Sequence, residues 1–148
     1  MGVFLPALLA LALQSSAPGP NPASAGWTWT LYEGSGPMVL ANERPDSPDL
    51  KATLQCQPGS GVVTVAVYGS DPVSGFARIT AGSATATAEA RAGRGDKLET
   101  TLPVDHPVFA AFVVGGRMTV AVGESQNIVT VERPHLAKLR RFADRCSG

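Results

Sequence analysis

The stretch Leu50-Lys51-Ala52-Thr53-Leu54-Gln55-Cys56-Gln57-Pro58-Gly59-Ser60-Gly61-Val62-Val63-Thr64-Val65-Ala66-Val67-Tyr68 decides the fold class. In its first part Leu50, Ala52, Leu54 and Cys56 alternate with Lys51, Thr53, Gln55 and Gln57, the period of a strand with one buried face. Cys56 falls on that inner face. Pro58-Gly59-Ser60-Gly61 supplies turn chemistry, because proline fixes one φ and glycine accepts a positive one. Val62–Tyr68 then returns as a β-branched strand, and the whole reads as an antiparallel hairpin.

The same two-residue period recurs on both sides. Residues 27–32 form a strand with Trp27, Trp29 and Leu31 on one side, and two tryptophans at that spacing are expected in the core. A short strand over 38–42 and a turn-rich connection over 43–48 lead into the hairpin. Ala84–Ala92 places alanine at every other position, with Thr85, Thr87, Glu89 and Arg91 between, so its inner face is small. Such a face admits a close neighbour, and the terminal helix is the candidate. Residues 76–80 are expected to pair with this strand across Ala81-Gly82-Ser83. A helical turn over 107–114 ends at Gly115-Gly116. Met118, Val120 and Val122 then define another strand, residues 123–126 the turn, and 127–132 the last strand.

After Pro134, Leu136, Leu139, Phe142, Ala143 and Cys146 recur every three to four residues, the stripe of an amphipathic helix whose packing face carries Cys146. Cys56 and Cys146 are the two cysteines of the chain. Each is expected to point into the same core, so one disulfide is predicted, worth roughly 4 to 5 kcal/mol in the chain-entropy treatment of a loop this long. A catalytic dithiol is not indicated, since such pairs usually sit as Cys-x-x-Cys. The predicted fold is mainly β, an antiparallel sandwich or open barrel with a C-terminal α-helix docked on it.

The start of the chain points to export. Residues 3–13 are apolar except for Pro6, and Ala23-Ser24-Ala25 follows as a small-residue cleavage site. The run is shorter than the about 20 apolar residues that cross a bilayer, so residues 1–25 read as a signal peptide and 26–148 as a single domain. No cysteine stands at the cleavage site to take a lipid. The expected location is the periplasm or the exterior, which suits a disulfide. Twelve Lys and Arg balance twelve Asp and Glu, and no broad field directs the chain to nucleic acid.

The order of elements resembles that of exported proteobacterial envelope domains, including invasion-associated locus B proteins and accessory proteins of type VI secretion. The resemblance is carried by Trp27-Thr28-Trp29, Leu54-Gln55-Cys56, Val63-Thr64-Val65, Arg117-Met118-Thr119-Val120 and a helix ending in Cys146. It implies an envelope-associated, non-enzymatic β-domain and transfers no catalytic residue.

Candidate chemistry is sparse. His106 and His135 are the two imidazoles available to a hydrolase, and neither lies in a catalytic motif. Ser60 and Ser125 stand in turns without a Gly-x-Ser-x-Gly elbow. No tight zinc ligand set and no cofactor loop are present, so none is expected. Arg94-Gly95-Asp96 spells an adhesion tripeptide in a loop whose composition turn chemistry already explains. Lys138, Arg141 and Arg145 share one face of the final helix and are candidate contacts to an envelope protein or a membrane surface. The expected function is a non-enzymatic envelope binding or accessory domain. A periplasmic inhibitor of a lysozyme-type enzyme, using loop 59–61 or 93–96, is the alternative, and a hydrolase dependent on His106 or His135 comes third.

Overall fold

The computed structural model describes residues 26–69 and 72–148; the expected signal peptide at 1–25 lies outside the described residues. Nine strands run in chain order as β1 (Thr28–Tyr32), β2 (Met38–Glu43), β3 (Leu50–Cys56), β4 (Val62–Tyr68), β5 (Gly75–Ala81), β6 (Ala84–Ala92), β7 (Lys97–Pro103), β8 (Arg117–Val122) and β9 (Ser125–Thr130). Helix α1 (Pro107–Gly115) precedes β8, and α2 (Leu136–Cys146) follows a 3-10 turn at Arg133–His135. All strands join one antiparallel sheet in the order β1-β2-β3-β4-β7-β6-β5-β8-β9. The sheet curls into a half-barrel on which α2 packs, so of the two expected architectures the open barrel is the one formed.

The hairpin expected over 50–68 is present, with Leu54 opposite Val65 and Ala52 opposite Val67. Ala52, Leu54 and Cys56 are buried, as are Val63, Val65 and Val67. Strand β7 has no counterpart in the sequence expectations, yet it is the keystone of the sheet: it pairs with β4 along its whole length and with β6 from Ala90–Thr100 to Ala92–Leu98. Its inner face is Leu98, Thr100 and Leu102, all buried. Where the β6 ladder stops, the buried Thr100 hydroxyl donates to the Glu89 carbonyl at 2.9 Å, so a polar core position is satisfied.

Three expectations are corrected. Trp29 is buried, but Trp27 is only partly so; the Lys51 ammonium lies 4.5 Å and the Arg44 guanidinium 5.2 Å from its ring centre, cation–π contacts at the rim of the core. The last hairpin turns on Gly123 and Glu124 alone, with Val122 opposite Ser125, so β9 begins and ends two residues earlier than expected. Gly123 has φ 58° at the first central position, where a two-residue hairpin turn favours glycine. The close neighbour of the alanine strand is α1, not the terminal helix: α1 lies over β5 and β6, where the side chains of Ala86 and Ala90 are small enough to let it approach.

Helix α1 is a full two turns because both ends are capped. His106 Nδ1 accepts the Val108 N–H at 3.0 Å, Pro107 occupies the first turn, and Gly116 closes the other end at φ 74°. At Gly116 the backbone is also crowded. Its N–H donates to Phe112, its carbonyl accepts from Val131 at 2.7 Å, and an added Cβ would overlap the Val131 carbonyl oxygen and lie 2.8 Å from Leu136 Cδ2. Nothing lies within 4 Å of the corresponding point on Gly115. Gly116→Ala is therefore expected to lower the unfolding free energy by about 2 to 4 kcal/mol, against less than about 1 kcal/mol for Gly115→Ala, as read by denaturant titration.

Candidate functional site

Nine antiparallel strands leave β1 and β9 running the same way at the two edges of the half-barrel. The edges meet at one point. The Trp29 indole N–H, from β1, donates to the Thr130 carbonyl at the end of β9 at 3.0 Å. Helix α2 lies against β1 and β2 beside this seam. From it, Lys138 Nζ donates to the Trp29 carbonyl at 2.6 Å, and Arg141 Nε donates to Glu33 Oε1 at 2.9 Å just beyond β1.

The other end of α2 is tied to the β3–β4 turn. Cys56 and Cys146, 90 positions apart in sequence, form the expected disulfide, with α-carbons 6.0 Å apart. The turn also caps the helix: Gly59 N–H donates to the Arg145 carbonyl at 2.9 Å and Gly61 N–H to the Cys146 carbonyl at 2.8 Å. Final-turn carbonyls have no partner inside a helix, so these donors satisfy groups that water would otherwise hold. Both glycines have positive φ, 76° and 73°, which aims their N–H groups at the helix end.

Leu139, Phe142 and Cys146 are fully buried, so the apolar stripe of α2 is committed to the core. The opposite side is a shallow open depression lined by Ala137, Arg140, Arg141, Asp144 and Arg145. Of the expected surface cations, Arg141 and Arg145 stand exposed on this face, while Lys138 is half-buried with its ammonium on a main-chain carbonyl. Arg140 joins the face and was not singled out from sequence. Among the described residues neither Arg140 nor Arg145 has an ion-pair partner within 4 Å. The depression thus presents three guanidinium groups beside the carboxylate of Asp144, with Arg141 also paired to Glu33.

The remaining candidates have local roles. His106 caps α1 as described, and His135 closes the 3-10 turn before α2. The Ser60 hydroxyl bonds within its own turn to Val62, and Ser125 opens β9. Among the described residues no three His, Cys, Asp or Glu side chains gather as a metal site. Arg94-Gly95-Asp96 lies exposed in the β6–β7 loop, which is pinned by Gly93 N–H on the Lys97 carbonyl at 2.7 Å. Of the two loops considered for insertion into an enzyme cleft, 59–61 is bound to the end of α2, and 93–96 stands exposed.

Comparison with protein-family models, curated proteins and solved structures finds no match to the chain. The electrostatics of the site are testable at Glu33. The hydrogen bond from Arg141 holds its carboxyl below the ordinary value of 4.5, partial burial opposes this, and the charges of Arg141 and Arg145 add to the lowering. Since the folded value is depressed, the pair contributes stability above the unfolded carboxylate range and loses it as pH falls through the folded value. In an NMR titration Glu33 is expected to have its midpoint below that of an ordinary glutamate, and Arg141→Ala to return it to the ordinary range.

Proposed function

We propose that this chain is an exported, non-enzymatic binding or accessory domain of the cell envelope, and that it engages an anionic envelope protein or membrane surface through the outer face of α2. One observation carries the reading: Arg140, Arg141 and Arg145 are exposed together on a helix fixed at both ends. A mounted cationic face meets a complementary surface with little loss of backbone freedom beyond that already fixed by folding. Because Leu139, Phe142 and Cys146 are held in the core, the contact is electrostatic and does not insert into lipid.

The disulfide is compatible with an oxidising compartment. Among the described residues no helix is long and apolar enough to cross a membrane. A second reading, inhibition of a lysozyme-type enzyme, is supported by the exposed Gly93-Arg94-Gly95-Asp96 loop and is separated from the first by a lysozyme activity assay.

Affinity capture from envelope extracts, run beside flotation with vesicles containing anionic lipid, tests the leading reading. Retention is expected at low salt and is expected to fall steeply as ionic strength rises and the Debye length contracts to about 8 Å. The variant Arg140→Gln, Arg141→Gln, Arg145→Gln should remain folded and lose at least about tenfold in retention. Undiminished capture by that variant contradicts the reading.

A further inference from the structure

The two edges of the half-barrel are treated differently. At β1, Lys138 occupies the Trp29 carbonyl and α2 packs alongside. At β9, the main-chain direction can be read from its neighbours. Val131 N–H bonds to the Gly116 carbonyl across the β8–β9 ladder, so odd-numbered positions face β8. The Thr130 carbonyl points the other way, to the Trp29 indole. Gln126 and Ile128 share the parity of Thr130. Among the described residues, neither takes part in a main-chain hydrogen bond outside the β8–β9 ladder.

Exposed edges are ordinarily guarded by lysine, proline, a bulge or a cover, because bare N–H and C=O groups template another strand. Strand β9, Ser125-Gln126-Asn127-Ile128-Val129-Thr130, has no charge and no proline, and its register with β8 is unbroken. Ile128 is 53% exposed. The occupant that fits such an edge is another extended strand of matching polarity pattern.

We propose that β9 pairs antiparallel with β9 of a second copy of this chain, about a two-fold axis at Asn127. In this register Gln126 stands opposite Ile128 of the second copy, and the reciprocal pair completes the ladder, all from main-chain groups that are bare among the described residues. Asn127 stands opposite its own counterpart in the close, non-hydrogen-bonded spacing, where two carboxamides are self-complementary donors and acceptors. Glu124 comes beside Thr130 of the second copy, one strand from Arg117, which lies opposite Thr130 in β8. Neither Arg117 nor Glu124 has an ion-pair partner among the described residues. An axis at Ile128 instead would set Glu124 against Glu132 of the second copy and place a second demand on the Thr130 carbonyl. Charge complementarity therefore selects the axis at Asn127.

So short a contact buries less than the about 1,200 Å² at which stable interfaces begin, which makes the association reversible and concentration-dependent. Sedimentation equilibrium of the purified protein from about 10 μM to about 1 mM covers the range in which such a contact populates. The average mass is expected to rise toward twice the monomer. Ile128→Pro removes an outward N–H without touching the β8 ladder, and Ile128→Lys adds an edge guard; both are expected to stay monomeric. Arg117→Glu and Glu124→Arg should each weaken pairing about tenfold, and the two together should restore it, because the swap re-forms the ion pair between copies. Monomer mass at every concentration overturns the proposal. So does a dimer that survives both Ile128 variants, or a double swap no tighter than the single ones.

Discussion

The first and last strands of this nine-stranded antiparallel sheet run in the same direction, so its edges could join only as a parallel pair, and β1 and β9 form no such ladder. The edges are instead bridged by the Trp29 indole, with α2 packed against β1 and β2 beside the seam. The helix is anchored at both ends by different chemistry. At the C-terminal end a disulfide and two glycine N–H donors hold it to the β3–β4 turn. Near its N-terminal end Lys138 reaches the Trp29 carbonyl, and the indole of the same residue spans the seam to Thr130. Trp29 thus receives one hydrogen bond from the helix and gives one to the far edge of the sheet, which links helix position to barrel closure in a single residue.

The candidate site follows from that closure. A helix whose apolar stripe fills the last gap in the core must turn its other side outward, and in this chain that side is arginine-rich. The staple that orders α2 also orders Arg140, Arg141 and Arg145, so the surface is presented at fixed spacing and not from a fraying terminus. Arg145, in the last turn of α2, also complements the helix dipole. The chain is neutral overall, and Arg133, Lys138, Arg140, Arg141 and Arg145, gathered in the 3-10 turn and α2, give it polarity without net charge.

Much of this was legible in the sequence, for identifiable reasons. Cys56 and Cys146 each sit on an unambiguous period, two for the strand and three to four for the helix, so their meeting could be read from patterns alone. Strand β7 could not be read so. Its Leu98 and Leu102 are four apart, a spacing that suits a helix, and the position between them is Thr100, buried only because its hydroxyl finds the Glu89 carbonyl. Trp27 and Trp29 share a face by alternation, but Trp27 lies at the rim, where Lys51 and Arg44 cover it in place of the core. The contacts that close the barrel, Trp29 to Thr130 and Lys138 to Trp29, join side chains to main-chain groups about a hundred positions away. No local pattern encodes a bond of that kind, because it depends on how the whole sheet curls. The role of Gly59 and Gly61 was half visible: the turn was evident, and its service as a cap for α2 was not.

The most direct measurement of closure by a stapled helix is hydrogen exchange at the Trp29 indole N–H, followed by NMR with the Cys56–Cys146 disulfide intact and then reduced. In the oxidised protein this proton should be strongly protected, since Trp29 is buried and bonded to Thr130. On reduction its protection should collapse as α2 lifts and the seam opens. An indole proton that exchanges equally slowly in both states would show that the half-barrel closes without the staple.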